Sequence, residues 1–550
     1  MRRSMLGFVL LLALAFDAAA EIAPPPPFPL PARPERPRLC VLIVVDQLCA
    51  DALERFAPYL TEQGFRRLAR EGAVFAFARH RHATTQTGPG HATIATGAYP
   101  DQHGIVGNRW IDREIGRAVY CVEDPACGRS PRSLCCTTFG DELVMASGGN
   151  SRVVALSMKD RAAILLAGRL GRAYWWEPSS GSFSTSAFYL QGASLPPEIA
   201  AWNAQRPLER YRGRPWERAL PESAYLFLGP DDRPFERDVP FLGRAFPHRL
   251  PGAGAPVADL GRAIVATPFS NELLADLART VLRAEGLGGR EGATDVLAVS
   301  FSAHDRIGHL WGPDSHESFD ETVRLDRSIA DLLGAIDAAA GGRAIVALTA
   351  DHGGAPPPEA SRARGFDAGR LDPKAIAACA EAALDRAFGA DGWTIGFEFP
   401  GLYLDPRKLA AHGLAPEAAE RVAAEALRGM PGIAFAFPRT DLARGAVPPS
   451  DLGRAVSLAF DARRSGDVTV VAAPFWYLDE DPEEAAATHG TPYAYDQHVP
   501  LILRGPGVRP GRYDRPVSVA DLAPTLALLL GAPLTSGCEG APLAEAIEGR

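Results

Sequence analysis

Continuous apolar runs alternate with helix-like segments along this chain. Leu39 to Val45 is seven apolar residues with no polar break. Such a run reads as a strand covered on both faces, as in a parallel sheet. Ser151 to Met158, Thr294 to Phe301, Arg343 to Thr349 and Val499 to Leu503 repeat the pattern. Helical periodicity runs through Asp51 to Gly72, Ala92 to Thr96, Asp160 to Ala167, Ser315 to Ala340 and Val519 to Leu530. The alternation predicts an α/β fold: a mostly parallel central sheet flanked by helices. Two regions interrupt it. Tyr174 to Leu190 is aromatic, Ser-rich and strand-like. It leads into Ala200 to Gly254, rich in Pro, Arg and aromatics, which reads as a cap-like insertion. Residues 355–480 mix helical runs (Pro373 to Ala387, Pro416 to Leu427) with strand-like ones (Thr394 to Leu404, Val456 to Leu478) and read as a second insertion. The expected organisation is one large domain over 39–550, with insertions near 174–290 and 355–480.

The N-terminus reads differently. Arg2 and Arg3 precede an apolar run, Leu6 to Phe16, that ends in Ala18-Ala19-Ala20. This is the pattern of a secretory signal peptide over 1–20, cut after Ala20. A linker with eight prolines follows at 21–38. The expected location is therefore the periplasm or the secreted fraction. No other stretch is long and apolar enough to cross a membrane. The chain has eight cysteines, a count compatible with disulfides in an exported protein, though pairing cannot be deduced. The Cys121 to Cys136 cluster fits no zinc-knuckle spacing well. A net charge of -9 gives no support to nucleic-acid binding.

Chemistry-bearing residues gather at the ends of the apolar runs. Asp46 follows Val45, where an open α/β sheet presents its ligand edge. The plainer reading is a helix cap, but Asp51 suits that role better. Thr87 precedes Gly88-Pro89-Gly90 and a short helix stopped by Gly97. Proline favours a first helical position, so Gly88 or Thr87 would be the cap. A hydroxyl there meets unpaired N–H groups and the positive end of the helix dipole. It can hold an anion and attack it, although by itself it is only a cap. Asp305 and His309, four apart, share one face of a helical turn and can reach one ion. Asp351 and His352 end another strand, and His489 is the best further ligand, with His498 the alternative. Lys159 and Arg161 stand two apart beyond a strand, and Pro100 to Asn108 is a glycine-dense loop. Blander roles go to His91 (structural), Asp160 (turned away from an anion), and His82, His103 and Asp101 (loop or surface).

Together these motifs resemble the alkaline phosphatase superfamily. They are VVDQ at Asp46, TQTGPGHATIATG at Thr87, GIVGN at Asn108, SMKDR at Lys159 and Arg161, SFSAHDRIGHLWGPDS at Asp305 and His309, TADHGG at Asp351 and His352, THG at His489, and the closing VSVADLAPTLALLLGAP. Within the superfamily the chain is similar to the PafA-like phosphatases with a threonine nucleophile, relatives of the nucleotide pyrophosphatase/phosphodiesterases. The resemblance implies two Zn²⁺ ions. Asp305, His309 and His489 would hold one; Asp46, Asp351, His352 and the Thr87 oxygen would hold the other. It gives Asn108, Lys159 and Arg161 the phosphoryl oxygens, and a phospho-threonine intermediate. In the resembling families the Lys/Arg pair accompanies monoesterases, so small-molecule phosphate monoesters are the expected substrates. A diesterase or nucleotide pyrophosphatase on the same scaffold is the alternative, and a non-catalytic phosphate-binding protein a more remote one. A monomer without a membrane or nucleic-acid partner is expected.

Overall fold

The computed structural model describes residues 36–478 and 485–548. The expected signal peptide and nearly all of the Pro-rich linker lie outside them. Among the described residues no helix is long and apolar enough to cross a membrane.

A nine-stranded sheet organises the domain. In chain order its strands are β1 (Leu39–Val45), β2 (Ala73–Phe75), β3 (Val153–Ser157), β4 (Arg172–Glu177), β5 (Ser182–Ser184), β6 (Asp295–Phe301), β7 (Ala344–Thr349), β8 (Leu501–Arg504) and β9 (Gly511–Tyr513). They lie side by side as β5-β4-β3-β6-β1-β7-β8-β2-β9. From β4 through β7 every pairing is parallel, and β8 runs antiparallel to both its neighbours. Every residue of β1, β3, β6 and β7 is buried, which explains their unbroken apolar sequences. Register then does the positioning. Val44 pairs with Ser300 on one side and Thr349 on the other, and Ser300 pairs with Ser157. The carboxyl ends of β3, β6, β1 and β7 therefore lie level. Asp46, Lys159, Asp305 and Asp351 follow those ends within one to four residues.

Helices flank the sheet. α1 (Thr87–Thr96) packs on α2 (Asp160–Ala167), and α3 (Ala303–Trp311) packs on α4 (His316–Ala340). α1 is buried along its whole length. It starts two residues earlier than the Gly-Pro-Gly turn implied. Thr87 is its first residue, Gln86 is the capping position, and no side chain caps it. Gly97 ends it in the left-handed conformation, φ 67°. The expected helix over Asp51 to Gly72 breaks into Ala50–Phe56 and Phe65–Glu71 around a 3-10 turn at Ala57–Tyr59. Pro58 sits inside that turn, where it cannot donate to a continuing helix. Asp51 lies in the first turn and is not the cap.

The strands at 172–177 and 182–184 extend the central sheet, so irregular chain begins only beyond them. One anchor fastens that irregular part. Asp320 on α4 is fully buried and accepts bonds from Trp216 Nε1 at 2.6 Å, Ala219 N at 2.5 Å, Tyr225 OH at 2.5 Å and Arg324 Nε at 2.7 Å. Within 355–480 a separate four-stranded antiparallel sheet forms from residues 394–398, 401–404, 468–472 and 433–438. Helices Pro373–Phe388 and Pro416–Arg428 help it enclose its own apolar cluster. The strand-like reading of Val456 to Leu478 holds only in part, because Val456 to Leu458 close a helix begun at Asp451.

Removing the Asp320 carboxylate strands four donors. Asp320→Ala should cost about 3 kcal/mol of stability. Limited proteolysis should then cut first between residues 216 and 225, at a rate well above wild type.

Candidate active site

The level strand ends bring together the residues singled out in sequence. Asp46, Asp351 and His352 form one group whose ligand-type atoms lie within 4.8 Å of one another, and Asp305, His352 and His489 form a second. His309 joins the second group through its Nε2, 3.3 Å from Asp305 Oδ1, while His489 Nε2 is 3.5 Å from the same oxygen. His352 thus stands between the two groups, its ring stacked on that of His489 at 3.6 Å. His498 is elsewhere, with Nε2 on the Ala76 carbonyl at 2.9 Å.

The imidazoles share one orientation. His309 Nδ1 donates to Ala487 O at 2.8 Å, His352 Nδ1 to Gly353 O at 2.9 Å and His489 Nδ1 to Thr85 O at 2.7 Å. A carbonyl can only accept, so each Nδ1 carries the proton and each Nε2 presents a lone pair inward. Burial holds His352 well below the ordinary histidine range and lowers His489 too, which favours the neutral, ligating form. The loop bearing His489 is pinned by the buried Asp496 carboxyl, which accepts from Gly490 N, Thr491 N and Thr491 Oγ1 at 3.0, 2.7 and 2.6 Å.

Negative charge is in excess here. Asp46, Asp305 and Asp351 are buried together, and Lys159 Nζ reaches Asp46 Oδ2 at 2.5 Å and Asp305 Oδ2 at 2.6 Å. Burial, then repulsion by Asp305 and Asp351, push Asp46 well above the usual carboxylate range. Burial also works to raise Asp305, but the Lys159 ammonium and His309 outweigh it and hold that carboxyl well down. One ammonium cannot satisfy three carboxylates. Asp46 Oδ1 and His352 Nε2 are buried with no hydrogen-bond partner among the described residues, and Asp351 Oδ2 is left unsatisfied too, its near neighbour His91 Nδ1, at 3.1 Å, being engaged with Thr87 O. These orphaned atoms belong to the three residues of a single group. Uncompensated acceptors converging in this way are the donor set of a divalent cation. The residues therefore fit a two-metal centre of oxygen and imidazole ligands.

Thr87 opens onto the same place. Arg161 Nη2 donates to its Oγ1 at 3.1 Å and Lys159 Nζ at 3.4 Å. Arg161 is steadied by Tyr120, whose hydroxyl accepts from Nη1 at 3.3 Å and donates to Asp160 at 2.5 Å; Arg129 holds the other Asp160 oxygen at 2.8 Å. Asp160 thus faces away from the anion position, as its charge requires. Asn108 Oδ1 accepts from Gly88 N at 2.8 Å, so its amide donors remain for a ligand. Asn108, Arg161, Asp305, His309 and His489 line one cleft of about 430 Å³.

Some contributors escaped the sequence reading. Gln47 is buried with φ 68°, a conformation rare for a side chain of its size. Its backbone N–H donates to Asp351 Oδ1 and its side-chain amide to Asp305 Oδ1, each at 3.1 Å, so it links the two groups. A Cβ at Gly308 would overlap Gln47 Oε1, and one at Gly90 would overlap the Asp351 backbone. Gln47 follows Asp46 directly, but nothing in a sequence marks a left-handed glutamine. His91 touches Asp351 Oδ2 at 3.1 Å while bonding Thr87 O and Ser300 Oγ at 2.9 and 2.8 Å, a bracing role. His82 and His103 are not surface residues: both are fully buried. His103 ties Thr93 Oγ1 (3.2 Å) to Ile105 N (3.0 Å). All eight cysteines are unpaired.

Comparison with known proteins agrees with this geometry. Residues 40–494 match the family model described as type I phosphodiesterase / nucleotide pyrophosphatase. Alkaline phosphatase PhoV of Synechococcus elongatus is 32% identical, with 97% of each chain covered. A Myroides odoratus protein named calcium-transporting ATPase is 31% identical, over 94% of this chain and 95% of its own. The crystal structure of alkaline phosphatase PafA superposes with a TM-score of 0.86 at 30% identity, covering 93% of this chain and 99% of that one. The PafA sequence from Elizabethkingia meningoseptica is likewise 30% identical. The chain belongs to the type I phosphodiesterase/nucleotide pyrophosphatase family of the alkaline phosphatase superfamily and, within it, to the PafA-like alkaline phosphatases.

Proposed function

We propose that this chain is an exported, monomeric zinc phosphomonoesterase that turns over through a phospho-threonine at Thr87. The observation that carries the reading is the convergence on Thr87 Oγ1 of two cationic side chains beside a ring of orphaned ligand atoms. Asp46, Asp351, His352 and the Thr87 oxygen would hold one Zn²⁺, and Asp305, His309 and His489 the other. Bound there, the ions would supply Lewis acidity, lowering the pKa of the threonine hydroxyl and of water and neutralising charge on entering and leaving oxygens.

The chain's own groups do the rest. Thr87, fixed at the first turn of a wholly buried helix, directs its Oγ1 at phosphorus. Attack forms the O–P bond as the leaving oxygen departs, and water then cleaves the phosphothreonine from the vacated side. Arg161 and the Asn108 amide would bind the non-bridging oxygens throughout. Lys159 loses its need to serve Asp46 and Asp305 once their charge is met otherwise, and its ammonium then serves the phosphoryl group. A monoester is a dianion with three free oxygens, and two cations beside one hydroxyl match it. A diester has one charge and needs room for a second substituent. The diesterase reading keeps its support from the name of the family model, and the substrate comparison below separates the two.

Purified protein should hydrolyse an aryl phosphate. A strong chelator should abolish this and Zn²⁺ should restore it; activity unaffected by complete metal removal contradicts the reading. Thr87→Ala should lower kcat by at least about 10³-fold while inorganic phosphate still binds, as calorimetry would show. Lys159→Ala with Arg161→Ala should depress kcat/KM for a monoester about 10²-fold or more, and for a matched diester far less; equal losses favour the diesterase. Gln47→Met removes the amide that joins Asp305 to the Asp351 side. It should weaken zinc retention about 10-fold, measured as metal content after dialysis against graded chelator.

A further inference from the structure

The cleft has a second half that phosphate and metal chemistry leave unused. After Asn108, Arg161, Asp305, His309 and His489 are assigned, the remaining polar lining includes Arg109, Arg306 and Glu398, with Phe399 beside them. Arg109 Nε lies 3.6 Å from Glu398 Oε1, so that pair is close to neutral. Arg306 is exposed and forms no ion pair among the described residues. Among the described residues it is the rim cation without an acidic partner.

Its place in the fold gives that charge a direction. Arg306 lies on α3 between Asp305 and His309. Residues three apart on a helix are surface neighbours, so Arg306 and His309 project side by side into the cleft. In the assignment proposed above, Asp305 and His309 hold the ion other than the one that takes the Thr87 oxygen. In-line attack by Thr87 sends the departing oxygen to that opposite side. The guanidinium therefore stands where the alcohol portion of a substrate must lie, with the Phe399 side chain as an apolar wall.

We propose that Arg306 forms a leaving-group subsite selecting phosphate monoesters whose alcohol portion carries a second anion, a carboxylate or another phosphate. The proposal rests on the phosphomonoesterase reading above and deepens it. A planar guanidinium pairs with either anion through two parallel N–H donors. In sequence, residues 479–484 carry five acidic side chains between two lining positions, Leu478 and Ala485. If those acids governed the cleft, the preference would be independent of Arg306, and the test distinguishes this.

The probes are 4-carboxyphenyl phosphate and its neutral methyl ester, whose intrinsic difference in leaving-group reactivity cancels when the rate ratio is compared between variants. For the holoenzyme, kcat/KM is measured on both in wild type, Arg306→Ala and Arg306→Lys. The anion-to-ester ratio should fall about 5-fold in Arg306→Ala and partly recover in Arg306→Lys. Raising NaCl from about 20 to 500 mM should erase the wild-type dependence on Arg306. A ratio unchanged by Arg306→Ala overturns the proposal. Binding of both compounds to Thr87→Ala enzyme, with and without Arg306→Ala, separates the two claims. If neither ester is turned over but the anionic one binds more weakly without Arg306, the reaction assignment fails and the subsite stands. Binding indifferent to Arg306 overturns the subsite whatever the turnover.

Discussion

Three carboxylates buried around one ammonium is the condition to which the rest of the molecule answers. Asp46 and Asp351 sit in turns just beyond two adjacent parallel strands, and Asp305 in the first turn of the helix that follows the third. Bringing ionised carboxylates together out of water is strongly unfavourable without counter-charge. Lys159 supplies part of it from a fourth strand end, and the unsatisfied atoms of Asp46, Asp351 and His352 call for more. A sheet whose central strands are buried along their whole length can meet the cost of such a cluster. Its apolar core is large, and its register leaves the strand ends little freedom to separate.

Much of this was legible in the linear text, for identifiable reasons. A strand covered on both faces writes itself as an unbroken apolar run, so β1, β6 and β7 stood out to within a residue. Ligand-type residues directly after such runs mark a sheet's ligand edge, and the i, i+4 spacing of Asp305 and His309 shows a shared helical face. Other features were invisible because they depend on contacts distant in sequence. Gln47 acts through a backbone conformation and two partners more than 250 positions away. The Tyr120–Asp160–Arg129 relay behind Arg161 assembles from three segments. His103, in a glycine-dense loop, and His82, in a polar stretch, read as surface, yet both are fully buried. The start of α1 at Thr87 was missed because Pro89 drew the boundary toward itself, although proline is tolerated throughout a first turn, where N–H groups have no helical partner.

The two peripheral regions are held by different physics. The irregular chain around Trp216 and Tyr225 hangs on a polar knot at Asp320, where one carboxylate gathers four donors. The four-stranded sheet within 355–480 has an apolar cluster of its own and contributes Glu398 and Phe399 to the cleft. The clustered carboxylates and imidazoles thus depend on the central sheet, while part of the cleft wall is supplied by a unit with separate internal support.

The seating of α1 has a consequence for how such a protein diversifies. Solvent touches almost none of this helix, and Gly90 lets it lie against the Asp351 backbone with no room for a methyl group. The helix that begins at Thr87 and the turn that carries Asp351 are therefore interlocked, and neither can drift without the other. Arg306, exposed on α3, carries no such interlock. A substitution at that exposed position leaves α1 and the strand ends as they are, so change there is uncoupled from the buried groups.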